Sequence, residues 1–485
     1  MRYFDLAVIL AYLIGITWFG ARFGSSQRTL KDYFLGGRTA PWWAICLSIV
    51  SAETSTLTII GTPALAFQGN LGFLQLVLGY LLARIIISLL FIPQYFRGEM
   101  FTAYELMRRR FGERIRKLTA ATFLVTRALA EGVRVFAISI VISIVLGTGE
   151  IASITLIMAL TLFYTFEGGM TAVIWTDVVQ MCLYVCGAVL SFFVILGNIP
   201  GGWERVWAVA EPAGKFNIFD FRFSLTETYT FWAGVAGGCF LTTASHGTDQ
   251  LMVQRLLSAR NQSESRLALM ASWFVVFFQF ALFLVIGVVL YVYYQGAGEA
   301  VPSPADRIYP SFIWEHLPVG VAGLVIAAIL AAAMANISAA LNSLATTSIV
   351  DFYRPWAGKS QEDDGRLLLP ARVATVAWGV VLLGIGIMAR KWGSVLEAGL
   401  AIASIPFGAL LGVFLLGLLT RHVTETAAIA GLLAGLTTMV YVRFFTGVAW
   451  TWYVLIGATV TFTVGWLAAT VLTPRQPEAV TGGTQ

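Results

Sequence analysis

The stretch AAAMANISAALNSLATTSIVDFY at 331–353 is apolar enough to enter a bilayer, yet it carries two Asn, three Ser and two Thr. On a helix Ala335, Ser338 and Asn342 fall at i, i+3 and i+7, and Asn336 and Ser343 are also seven apart, so the oxygens share one broad face. Hard cations take several oxygen ligands from carbonyl, hydroxyl and carboxylate groups, and such a face can supply them. Water or helix packing could use the same face. Two further apolar segments hold polar clusters: SIVSAETSTLTIIGTPALAF (48–67), with Glu53, and AGGCFLTTASHGTDQLMVQR (236–255), with His246 and Asp249. Polar groups in hydrocarbon are costly and face a bundle interior or a wet cavity. Helix-packing hydroxyls would explain scattered Ser and Thr, but not clustering with ionisable groups.

Isolated charges add to the pattern. Asp177 lies in EGGMTAVIWTDVVQ (167–180), an intramembrane carboxylate that marks a functional candidate or a helix-start hydrogen bond. TRALAEGVR places Arg127, Glu131 and Arg134 at i, i+4 and i+7 on one face. Glu131 either neutralises both arginines, or one arginine is left to hold an anion bidentately. Arg84 either snorkels or pairs with a carboxylate. No HExxH, P-loop or GxSxG sequence is present, so neither an enzyme nor ATP-driven transport is indicated.

These residues need a membrane scaffold. The 485 residues are 58% hydrophobic and 12% charged, with a mean hydropathy of +0.80. Apolar runs of about 20 residues recur, whereas a membrane barrel would show alternating runs of about ten. The expectation is an all-α membrane protein with about thirteen transmembrane helices, at 3–20, 41–67, 72–96, 118–147, 150–166, 172–197, 229–254, 267–295, 320–350, 370–389, 395–419, 425–442 and 449–472. Lys and Arg concentrate in the loops sharing a side with the C terminus, including MRRRFGERIRK at 107–117, which places the N terminus outside and the C terminus in the cytoplasm. The four cysteines lie in apolar segments and read as packing residues. The external loops lack an N-x-[ST] acceptor, which suits a bacterial inner membrane. The two Gly- and hydroxyl-rich segments lie five spans apart, as two five-helix repeats opening with broken helices require.

Together with DYFLGGR (32–38), SAE (51–53), the Gly-Gly followed by WTDVVQ (168–180), GTDQ with VQR (247–255) and ALNSLATTSIVDFY (340–353), the sequence resembles the sodium:solute symporter family. The resemblance implies a leucine-transporter-like fold, the example that physical accounts of broken-helix ion sites use. Its 5+5 inverted repeat would divide the chain into an extra first helix and cytoplasmic loop (1–40), repeats at 41–197 and 229–419 separated by an external loop (198–228), two C-terminal helices (420–473) and a polar tail (474–485). It further implies a secondary active transporter working by alternating access, with Na+ as coupling ion, a small organic solute as cargo and no cofactor.

Carried over by position, the main sodium site would use backbone carbonyls of Leu47, Val50 and Ala332, with the usual hydroxyl pair falling on Ala335 and Asn336. Alanine supplies no side-chain oxygen; the Asn336 amide can supply one, which leaves the site one ligand short. A second sodium site would join Asp177 to Ser338, its other hydroxyl positions being Ala335 and Ala339. Proton coupling through Asp177 or Glu53, and uncoupled transport, are the alternatives. Sugar-contact positions fall on Ile49, Thr54 and Thr242, which lack the amides of sugar carriers. The sialic acid carriers' arginine falls on Arg134 or Arg127, favouring an organic anion or zwitterion held by Thr54, Thr242, His246 and Arg134. GLLTRHVTETAAIAG (417–431) departs from the family signature at His422 and Thr426. A membrane sensor of the same fold would need an output domain, for which the tail after Pro474 offers no room, and a channel would show flux without accumulation.

Overall fold

Serial apolar runs form serial helices. The computed structural model describes residues 2–22, 38–97, 103–164, 170–296, 298–353, 356 and 368–472; among them the only extended pairing is one bridge, Ala40 to Ala259. In chain order the helices are α1 (Tyr3–Ala21), α2 (Trp42–Glu53), α3 (Thr56–Gln68), α4 (Leu74–Ile86), α5 (Ala103–Arg110), α6 (Glu113–Leu146), α7 (Glu150–Tyr164), α8 (Met170–Gly197), α9 (Gly202–Ala210), α10 (Phe231–Gly247), α11 (Gln250–Leu257), α12 (Gln262–Gly296), α13 (Ile308–His316), α14 (Val321–Thr347), α15 (Leu368–Ala389), α16 (Val395–Leu419), α17 (Glu425–Phe445) and α18 (Tyr453–Leu472). A π-helical segment (Ile87–Phe91) and one further turn (Ile92–Tyr95) extend α4, and another π segment (Ser348–Tyr353) extends α14.

Each expected span coincides with one of these helices or a helix pair. Among the described residues, eight helices are long and apolar enough to cross a bilayer, nine if the bent pair α2–α3 is one span. The apolar stretches of α1, α7 and α15 are shorter, and the expected seventh span is divided between α10 and α11. DYFLGG, the Gly168–Gly169 pair and the tail at 474–485 lie outside the described residues.

Both expected breaks are present. Between α2 and α3 the axis bends by 62°, because Thr54 (φ −85°, ψ 85°) and Ser55 (φ −85°, ψ 173°) leave helical geometry. Hydroxyl-bearing residues compete for backbone groups and weaken helix continuity at such points. Between α10 and α11 the chain turns at Thr248–Asp249, and Asp249 caps α11 by accepting from Leu251 N at 2.9 Å. The first half of this broken span is held against α4 by direct backbone contact. A Cβ on Gly238 would lie 2.1 Å from the Leu76 carbonyl oxygen, and one on Gly79 would lie 2.3 Å from that of Val235. Only glycine permits that approach.

Three helix starts are capped by acids from elsewhere in the chain. Asp5 on α1 accepts from Gly320 N (2.7 Å) and Gly323 N (2.8 Å) at the head of α14. Glu425, within the 417–431 signature, accepts from Arg114 N (2.6 Å) and Ile115 N (3.1 Å) at the head of α6. Asp306, in the loop before α13, accepts from Val395 N (3.1 Å) at the head of α16. Carboxylates at helix N-termini meet unpaired amides and the positive end of the dipole.

Asp306 is nevertheless buried, with the Glu397 carboxylate nearby, and its carboxyl is pushed up to about 6 by burial, with the amide of Val395 opposing. The folded protein therefore holds this proton after the unfolded chain has lost it. Stability is favoured below the unfolded value near 4 and falls as pH rises toward 6, by up to roughly 3 kcal/mol. Asp306→Asn, which keeps an acceptor for Val395 N, is expected to flatten the fall in melting temperature between pH 4 and 6. An unchanged pH profile would remove Asp306 as its source.

Candidate substrate and cation site

The two breaks face one cavity of about 160 Å³. Its wall includes Glu53 and Ser55 at the first break, Thr242 and His246 before the second, Arg134 on α6 and Asn336 on α14. A smaller cavity of about 50 Å³ shares Arg127, Arg134 and Asp249 with it and reaches Tyr104 on α5. Of the sequence-derived candidates, Thr242, His246, Arg134 and Asn336 thus meet in one wall. Thr54 is buried behind it, accepting from Gln279 Nε2 at 2.5 Å.

Four arginines and four carboxylates sit in or behind the wall, each with a partner of opposite sign. Arg84, fully buried, donates from a terminal nitrogen to Glu53 Oε2 at 2.6 Å and from Nε to Ser272 at 3.1 Å. Of the two fates open to Arg84, the structure selects carboxylate pairing. His246 Nε2 lies 3.4 Å from the same Glu53 oxygen, with Nδ1 2.9 Å from the Ser245 hydroxyl. Glu131, fully buried, meets both Arg127 (3.2 Å) and Arg134 through the same oxygen, Oε1, while Arg127 lies 3.6 Å from Asp249. Glu131 therefore serves both arginines of the face, and Arg134, the more exposed of the two, keeps part of its guanidinium on the cavity.

Asp177 is buried and held by two partners. Its Oδ2 accepts from Ser48 Oγ at 2.6 Å and pairs with Arg255 at 3.0 Å, and Arg255 Nε donates to the same Ser48 oxygen at 3.0 Å. No hydrogen bond joins Asp177 to Ser338 among the described residues. Arg255 on α11 thus supplies positive charge beside the carboxylate, a partner for Asp177 that the sequence did not indicate. A basic residue in an apolar run demands an acid, but nothing local in the sequence pairs positions 78 residues apart.

The α14 stripe also splits. Asn336 lines the cavity and its amide makes no hydrogen bond within the described protein, whereas Asn342, expected on the same inward face, is exposed. Six residues at about 100° each turn Asn342 about 120° around the helix from Asn336 as well as about 9 Å along it. Leu47, Val50 and Ala332 do not line the cavity. Val50 is buried at the end of α2, and its carbonyl accepts from Thr54 N at 2.8 Å, leaving one lone pair. Among the described residues no group of three or more His, Cys, Asp or Glu could hold a metal ion; oxygen-only cation binding needs no such group.

The fold is shared with transporters of known structure. The chain matches the solved structure of a Na+-coupled sialic acid symporter in its substrate-bound, outward-open state, with a TM-score of 0.85 and 27% identity over 97% of this chain and 98% of that one. In sequence it is 28% identical to the sodium/sialic acid symporter SiaT of Proteus mirabilis over 482 residues, 98% of this chain and 96% of that protein. It is 29% identical to the human sodium/iodide cotransporter over 461 residues, 90% of this chain and 68% of that protein. The model of the sodium:solute symporter family matches residues 33–435, most of the chain. An all-helical membrane transporter with two broken helices five spans apart, this chain belongs to the sodium:solute symporter family.

Proposed function

We propose that the protein is a Na+-coupled symporter of a small organic anion, moving both through the cavity between the two breaks by alternating access. The observation that carries this reading is Asn336, whose amide faces the cavity without a partner in the protein. It stands where the resemblance places a sodium ligand, next in sequence to an alanine that supplies none. With carbonyl oxygens of Leu47, Val50 and Ala332, the Asn336 oxygen would complete a hard-cation cage. Asp177, held by Arg255, would govern release rather than bind a second ion, and Ser338 would remain a spare hydroxyl. One Na+ per cycle, and hence a first-order Na+ dependence of uptake, follows.

On this reading the repeats are 41–197 and 229–419, the extra helix, external loop and C-terminal pair packing around them. The protein would lie in a bacterial inner membrane with its N terminus outside and C terminus in the cytoplasm. The cavity's fixed charges balance, so a bound Na+ leaves one positive charge for a carboxylate to neutralise beside Arg134, Thr242 and His246.

The test is uptake of sialic acid and simpler carboxylates by proteoliposomes under an inward Na+ gradient. Arg134→Gln leaves Glu131 paired with Arg127, so the fold should survive. A charge-assisted hydrogen bond contributes about 1.5–3 kcal/mol, so uptake should fall at least about tenfold, with Arg134→Lys retaining part of it. Equal losses for neutral and anionic solutes would contradict the anion assignment. The His246–Glu53 pair supports a second reading, proton coupling; uptake driven by a pH gradient without Na+ would establish it.

A further inference from the structure

The segment between α9 and α10 has a pattern that transport chemistry does not use. Residues 217–225 run extended across one end of the bundle. Phe219, Phe221, Phe223 and Leu225 are 53%, 63%, 69% and 49% exposed; Ile218, Asp220 and Ser224 between them are less so, while Arg222 is also exposed. At about 3.3 Å per extended residue the four apolar positions, at every second residue from 219 to 225, span about 20 Å. The strap is pinned along its backbone. Asp220 N donates to Gln75 Oε1 (3.1 Å), Asp220 O accepts from Phe231 N (2.7 Å), and Leu225 O accepts from Ala449 N (2.7 Å). Such anchoring makes the outward rings a built feature, since the backbone is fixed while four large apolar side chains remain uncovered.

What covers them is indicated by their neighbours. Trp232, exposed in the first turn of α10, donates its indole N–H to Phe221 O at 3.1 Å, so the strap lies directly over an exposed side chain at the start of α10. Trp452 does the same to Ser224 O at 3.1 Å and packs against Phe223. Phe444 and Phe445, in the last turn of α17, are exposed at this same end, as are Trp203 and Trp207 on α9. The apolar surface is thus continuous with the ends of spanning helices. Arg222, paired with Asp220, is the charged residue set among the rings. Aromatic and apolar rings with an adjacent arginine at span ends match the boundary between lipid headgroups and acyl chains.

We propose that the 217–225 strap, with α9, is a membrane-interface element whose phenyl rings insert into the lipid headgroup boundary at that end of the bundle. The test replaces the exposed Cys182 and Cys186 with alanine, leaving the buried Cys46 and Cys239. An environment-sensitive fluorophore is then placed singly at Phe219→Cys, Phe221→Cys, Phe223→Cys, Arg222→Cys and, as a control on another loop, Glu299→Cys. The labelled full-length proteins are reconstituted into phosphatidylcholine and phosphatidylglycerol vesicles. Headgroup-level nitroxide lipid should quench the three phenylalanine positions, with a several-fold higher ratio of lipid to iodide quenching than at Arg222 or Glu299. Iodide quenching equal to that at Glu299 would overturn the proposal, as would intermolecular cross-linking through Phe221→Cys with the lipid signal absent, which would assign the face to a second copy. Five positions scanned independently keep the pattern readable if one variant fails to fold.

Discussion

Glu131→Gln should lower stability by about 3–5 kcal/mol and abolish transport, the cost characteristic of breaking a buried ion pair from one side. Glutamine preserves shape, so cavity formation does not contribute; the loss is that of the carboxylate shared by Arg127 and Arg134. Asp249, 3.6 Å from Arg127, already caps α11 through its other oxygen. Removing the surplus charge should therefore repair the defect: Glu131→Gln with Arg134→Gln is expected to regain part of the lost melting temperature while remaining inactive. A single variant that melts like the wild type would show that water or ions already neutralise the arginines.

Asp177→Asn is expected to be comparably severe. Asp177, Ser48 and Arg255 form a closed ring of hydrogen bonds tying α8, α2 and α11 together just inside the two breaks. The variant leaves the buried Arg255 guanidinium facing a neutral amide, a loss of about 3–5 kcal/mol on the same grounds. Adding Arg255→Met should restore stability but not uptake, because the elements would pack without the charge pair at the cavity wall. If the double variant is as unstable as the single one, the ring is not the source of the loss. If the single variant loses Na+ binding while keeping its melting temperature, Asp177 is a sodium ligand after all.

Hydropathy made the helices legible, and the hydroxyl and glycine clusters at 51–58 and 237–249 made both breaks legible, because each signal is local. Arg127, Glu131 and Arg134 could be placed on one face because a helix repeats every 3.6 residues. Partners far apart in the chain could not be read. Arg84 with Glu53, Arg255 with Asp177 and Gln279 with Thr54 each require knowing which helices touch. The trans caps by Asp5, Asp306 and Glu425 show the same limit: an acid near a helix end is visible in sequence, but not that it caps a different helix. Asn342 was misplaced because the polar stripe was drawn too broad: six residues after Asn336, it points about 120° away around the helix.

The central claim is that an amide at position 336 completes a sodium site from which alanine at 335 has removed a ligand. The melting temperature of the purified protein against Na+ concentration, with K+ and choline as controls, tests it most directly, since a ligand bound by the folded state alone raises stability as RT ln(1 + [L]/Kd). The account expects a Na+-specific rise that Asn336→Ala abolishes without unfolding the protein. No rise over a wide Na+ range, or one that survives the substitution, would contradict it.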